Sequence, residues 1–240
     1  MKHTVTVTRH IAALLLCVTS YSLLAEPASK IQSSYDVIGF GMTLANINET
    51  FTRTQDSYQV ESVTTAQGLL ARFKPEIVKV SSQGRITPQG LLPVNFVLTR
   101  KLDTDKNAST KFNWEKSVLT NTDYKGVNDM PLPQGTQDRL SMLYDLPLLM
   151  KSNPSEFKFS ISDGNNLQDY SFTVAAEEQN VRVPLGTFKS RYVTSIPVGD
   201  EVKYEIWLAT ERDYFPCKII VTDSNGGKLT QVLTQLTITP

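Results

Sequence analysis

Histidine is almost missing from this chain of 240 residues: only His3 and His10 occur, both within the first ten positions. Cysteine is as scarce, with Cys17 and Cys217 alone. Lysine and arginine form no run, and only one long apolar stretch exists, near the N-terminus. Each scarcity excludes something. If that N-terminal segment is removed, no histidine and one cysteine remain. The usual ligands of a transition-metal site and the usual base for a serine or cysteine nucleophile are then gone. No cofactor, metal or catalytic residue is expected. Without a basic stripe there is no phosphate-neutralising surface, so nucleic acid is not an expected partner. A lone cysteine closes no disulfide within the chain.

The N-terminal segment has the order of an export signal. Lys2 and Arg9 stand without an acid, an apolar run from Ile11 follows, and Ala25 precedes a polar restart at Glu26-Pro27. The run of about 15 residues is short of the ~20 that span a bilayer. A lipid-modified Cys17 would need a small residue before it, and Leu16 stands there. Residues 1–25 are therefore read as a cleaved signal peptide and residues 26–240 as a single β-rich domain destined for the periplasm. Loss of Lys2 and Arg9 leaves 22 basic against 24 acidic residues, a net charge of −2. The mature chain holds no second apolar run and no transmembrane segment is expected in it.

What is present is strand signal. Phe157, Phe159 and Ile161 alternate with polar neighbours, and Tyr170, Phe172 and Val174 repeat the pattern after Asp163-Gly164-Asn165-Asn166, a tight-turn sequence. Tyr204, Ile206 and Leu208 make another inward row. Phe215, Cys217, Ile219 and Val221 make the next, which predicts a buried thiol at Cys217. Asn225-Gly226-Gly227 marks a second hairpin. Earlier strands are expected over Ser33–Gly39, Ala45–Thr54, Ser57–Ala66, Ile77–Gln83, Val94–Leu102 and Thr110–Tyr124, the last turning near Lys116. Short polar turns between such runs mean antiparallel neighbours, because parallel strands need long crossovers.

One segment breaks the pattern. Thr136 suits an N-cap, Asp138 a first turn, and Leu140, Leu143 and Tyr144 fall at helical spacing, so one short helix is predicted over roughly 137–150. Leu140, Leu143 and Tyr144 should point inward, with Arg139 and Ser141 nearer solvent. Asp129-Met130-Pro131-Leu132-Pro133 reads as an extended linker before it. A sheet of many strands twists until it curls or splits. The predicted fold is mainly β: an antiparallel meander curled into an open or closed barrel, with this helix covering it.

Carboxylates could hydrolyse glycosides without histidine. The pairs on offer are Glu177-Glu178, Asp138 with Asp145, and Asp200-Glu201, all at turns, strand ends or the helix. Asp103-Thr104-Asp105-Lys106-Asn107 opens like a calcium loop but puts Ala108 where glycine is needed and Trp114 where a glutamate belongs. It reads as a hairpin tip. No enzyme is expected.

Several phrases resemble an exported bacterial family, domain of unknown function 3108. They are Gly84-Arg85-Ile86-Thr87-Pro88-Gln89-Gly90, Leu132-Pro133-Gln134-Gly135-Thr136-Gln137-Asp138-Arg139-Leu140-Ser141, Val183-Pro184-Leu185-Gly186-Thr187-Phe188 and Glu205-Ile206-Trp207-Leu208-Ala209. Tyr214-Phe215-Pro216 and the last strand complete the likeness, which runs from about Ser33 to Thr234. The resemblance implies export in Gram-negative bacteria and brings no catalytic residues with it.

Two apolar groups remain for function. Leu69, Leu70 and Phe73 lie in a loop bracketed by Gly68 and Pro75, and Leu148 and Leu149 follow Pro147, which ends or kinks the helix. With Leu140, Leu143 and Tyr144 they form an expected hydrophobic lip where a lipid or other apolar small molecule enters the curled sheet. The competing reading is a structural or interaction module with a filled core and a protein partner in the envelope.

Overall fold

The computed structural model describes residues 29–196 and 202–240. The expected signal peptide and the Asp200-Glu201 pair lie outside the described residues. The first half runs β1 (Lys30–Gly39), β2 (Met42–Thr54), β3 (Ser57–Ala66), α1 (Gly68–Phe73), β4 (Ile77–Thr87), β5 (Gly90–Arg100), β6 (Ala108–Asn113), β7 (Val118–Asp123) and β8 (Gly126–Pro131). After β9 (Gln137–Asp138) and α2 (Ser141–Met150) come β10 (Glu156–Ser162), β11 (Leu167–Val183), β12 (Gly186–Ile196), β13 (Lys203–Ala209), β14 (Phe215–Thr222) and β15 (Lys228–Thr239).

All fifteen strands belong to one sheet, in the order β8 to β1, then β15 down to β9. Each half is a plain meander, and β1 pairing antiparallel with β15 joins them. Among the described residues only β9 and β10 are parallel. The meander was readable from its turns. Asp163 accepts the N–H groups of Asn165 and Asn166 at the β10–β11 hairpin, as a short acidic turn residue does. The first three residues of the segment expected to be a linker, Asp129 to Pro131, instead end β8, which pairs with β7 from Gly126 to Pro131. Its lack of apolar alternation hid it, because an edge strand with both faces wet has none to show.

The sheet curls without closing: β8 and β9 are its two ends and do not pair. Side chains bridge the seam instead. Thr110 of β6 lies 2.8 Å from the Ser162 hydroxyl of β10, and Ser162 donates to Asn121 Oδ1 of β7 at 3.2 Å. Gly164 lies against Ala108 there, where any Cβ would stand only 2.8 Å from that methyl.

Helix α2 sits inside the curl and divides the core. Leu140 and Tyr144 join the cluster that includes Tyr35, Phe51, Val60, Phe96, Leu119 and Leu233. Met142, Leu146 and Met150, four residues apart on the other flank, join Phe159, Phe172, Val193, Ile206 and Ile219. Cys217 is fully buried on β14, as its strand face required. Two expectations about the helix need correction. Ser141 is buried rather than solvent-facing, and Leu143 is only half-buried, touching both clusters from the ridge between them. A helix enclosed on both flanks has no wet face at Ser141. We expect Leu143→Ala to cost about 1–2 kcal/mol by urea unfolding, less than the ~2–5 of a fully enclosed leucine. A loss above that range would mean that Leu143 is enclosed.

The helix also starts later than expected. Thr136 does not cap it; its hydroxyl donates to Pro133 O at 2.7 Å. Asp138 Oδ1 accepts the N–H of Leu140 at 2.9 Å and of Ser141 at 2.7 Å, and Ser141 Oγ accepts the N–H of Asp138 at 3.0 Å. That is a reciprocal capping box, closed by a serine in place of the usual glutamate. Pro147 neither ends nor breaks the helix, which continues to Met150.

Candidate functional site

At the end of the curl where β1 begins and β2 and β15 finish, the first of these clusters borders an apolar cleft of about 470 Å³. Such a volume falls within the ~300–1,000 Å³ of small-molecule sites. The strand ends supply Ile31, Phe51 and Ile238, and the β4–β5 hairpin supplies Ile86 and Leu91. Helix α2 contributes Tyr144, Pro147 and Leu148, and β14 contributes Phe215. Two other depressions are walled mainly by threonine, asparagine, glutamine and charged side chains.

The aromatic wall is built from below. Tyr144 stacks on Phe51 with ring centroids 5.1 Å apart, and Phe215 meets Tyr144 edge-on at 6.1 Å. The Tyr144 hydroxyl donates to Glu49 Oε2 at 3.1 Å, and Ser62 donates to Glu49 Oε1 at 3.0 Å. Glu49 continues the inward row of Ala45, Ile47 and Phe51 on β2, so strand periodicity forces the acid into the core. Burial pushes its carboxyl above the usual range, against the two hydrogen bonds.

The hairpin side is clamped by polar groups. Asp145 Oδ1 accepts the Leu91 N–H at 2.7 Å, while Gln137 Nε2 donates to Leu91 O at 2.8 Å. Gly90 is required beside it, because a Cβ there would strike Asp145.

Three cations stand on the lining: Arg53 of β2, Lys151 just past α2, and Arg212 of the turn before β14. Asp213 is the one acid among the lining residues. A second depression continues along the end of α2, sharing Arg53, Ile86, Leu148 and Lys151 and adding Asp56, Leu149 and Ser152.

The expected lip is divided. Tyr144 and Leu148 line this cleft and Leu149 lines the adjoining depression, whereas Leu140 is core and Leu143 bridges the clusters. Leu69, Leu70 and Phe73 are elsewhere. They form helix α1 rather than a loop, beside the start of β2, where Gln67 donates to Leu44 O. Leu44 and Phe51 are seven residues apart along β2, roughly 23 Å at strand rise, so this group sits toward the opposite end. Leu69 is 62 % and Phe73 81 % exposed. An alternation of β-strands carries successive connections to opposite ends, and the β3–β4 connection falls on the far one. Phe51, Phe215, Ile238 and the cations escaped sequence reading because they come from separate strand ends. The one available signal was Glu49 in an otherwise apolar row.

Asp138 and Asp145 are buried, one capping α2 and the other holding Leu91. Glu177 and Glu178 are exposed, at a shift of register between β11 and β12. Asp103 is engaged by Lys74 at 2.7 Å and Lys106 at 3.6 Å on the hairpin tip.

None of the curated proteins matches the chain. Among solved structures it is similar to the beta-barrel-like protein of domain of unknown function DUF1849 from Brucella abortus, with a TM-score of 0.57 and 12% identity. That match covers 88% of this chain and 98% of the other, and it supports the curled-sheet fold alone. A "putative lipoprotein" from Parabacteroides distasonis aligns with a TM-score of 0.36 and 13% identity, over 88% of this chain and 96% of that one. The model of one family covers residues 31–234, and the chain belongs to it: the protein of unknown function family DUF3108.

Proposed function

We propose that this chain is a non-enzymatic protein of the bacterial envelope that holds a lipid or other apolar chain in the cleft beside α2. The observation that carries the reading is the apolar wall of Phe51, Tyr144, Leu148 and Phe215 around unfilled volume at the mouth of a curled sheet. Export across the inner membrane is supported by the charged, apolar and small-residue order of residues 1–25. A filled interaction module is the second reading, favoured by the exposed Phe40, Leu69 and Phe73 and by the free edge of β8.

The purified chain should bind the fluorescent apolar probe N-phenyl-1-naphthylamine. Leu148, 41 % exposed on the lip, can be changed without opening the core. Leu148→Glu should weaken probe binding at least tenfold, while Leu69→Glu should leave it unchanged. Loss of binding through Leu69→Glu instead, or no binding by the parent chain, would favour the interaction module.

A further inference from the structure

The cleft is apolar inside and basic at its rim. Arg53, Lys151 and Arg212 line it beside one acidic side chain, Asp213, and the terminal Pro240, with Asp56 in the adjoining depression. The ion pairs among the described residues are Lys74–Asp103, Lys106–Asp103 and Lys203–Glu205, and none uses a rim cation. Arg53 donates its Nε–H to Gln55 O at 3.1 Å, which orients the guanidinium and leaves its two terminal nitrogens for a ligand. Arg212 lies against the Phe188 ring, 6.0 Å from its centroid.

We propose that the occupant is an amphiphile with one acyl chain and an anionic head, its chain against Phe51, Tyr144, Leu148 and Phe215 and its head held by Arg53, Lys151 and Arg212. This rests on reading the cleft as a ligand site and adds the class of ligand. Arginine presents a planar fork of donors that matches the oxygens of a carboxylate or phosphate. Cations at the mouth of a low-dielectric cleft focus their field on it, raising the local concentration of anions. A neutral or cationic head would leave that field unanswered.

Four dodecyl probes, each below its micellar concentration, separate the possibilities: laurate, dodecyl phosphate, dodecyl maltoside and dodecyltrimethylammonium. At low salt both anions should bind at least tenfold tighter than the trimethylammonium probe, with the gap narrowing as salt screens the rim. Arg53→Gln, Lys151→Gln and Arg212→Gln should each weaken the anions three- to tenfold and leave the maltoside within twofold. A preference for dodecyl phosphate over laurate, or the reverse, names the head within the anionic class. Equal binding of all four probes, with the glutamine variants indifferent, overturns the choice of an anionic head while the cleft still stands as a binding site. Failure of every probe overturns the cleft reading as well. Equal cosedimentation of the parent chain and Leu148→Glu with anionic vesicles, without uptake of the soluble anions, assigns the cations to a membrane surface and also overturns the proposal.

Discussion

Replacing Asp138 with alanine should lower the unfolding free energy by about 4 kcal/mol, more than any conservative change at the cleft. Its carboxyl accepts three buried donors: the N–H groups of Leu140 and Ser141 and, through Oδ2 at 2.6 Å, the Ser82 hydroxyl. Removing a helix cap alone costs ~0.5–2 kcal/mol, and each buried donor left without a partner adds ~1–3. Ser82 can turn toward Tyr58, whose hydroxyl lies 3.2 Å away, so not all of that sum is realised. Asp138→Asn keeps an acceptor for the two N–H groups and should cost about half as much. Ser82→Ala should cost about 1 kcal/mol, because the cap survives it. Urea unfolding with unchanged slope is the measurement. An Asp138→Ala variant within 1 kcal/mol of the parent would show that the capping box is not holding α2 in the curl.

Stability should fall as pH rises from about 4 to about 7, by roughly 3 kcal/mol from Asp145 alone. Burial raises the Asp145 carboxyl from 3.8 to about 6, opposed only by its hydrogen bond from Leu91. In the unfolded chain the proton leaves near the ordinary value; in the folded chain it stays until the raised one. Between those values the folded state binds more protons, so its advantage is full below the lower value and is lost as pH rises through the upper. Burial also raises Glu49 and Asp138, which carry the same sign. Asparagine at position 145 mimics the neutral acid and keeps the acceptor for Leu91. The stability of Asp145→Asn relative to the parent should therefore improve by about 3 kcal/mol between pH 4 and pH 7. A difference that stays flat across that window would mean Asp145 ionises freely in the folded protein.

Much of the fold was legible because it is local. A period of two with turn residues between the runs dictates antiparallel hairpins, and the rows Phe159–Ile161, Tyr170–Val174 and Ile206–Leu208 went inward as their spacing required. The strand Ser57–Ala66 has the bounds its alternation implies. Cys217 is buried for the same reason. The cap of α2 was written in the sequence too, as Asp138 and Ser141 three residues apart, but Thr136 offers an equally good local pattern. What separates them is the strand β9, which Gln137 and Asp138 form against Ile161 and Ser162 more than twenty residues later.

The site itself was largely not legible. An antiparallel sheet brings residues together across strands, so Ile31, Phe51 and Ile238 become neighbours only once β1 has paired with both β2 and β15. The same pairing carries Leu69 and Phe73 to the far end, although in sequence they looked like partners of Leu148. By itself the sequence determined most of the strands and their hairpins, the approximate place of one inner helix and the absence of histidine from everything after residue 10. Only the tertiary structure decided that the sheet stays open, that Asp138 and Asp145 are buried, and that three cations line one apolar cleft. Hydrophobic alternation specifies which face of a strand is inward, whereas the curl of the whole sheet determines which inward faces meet.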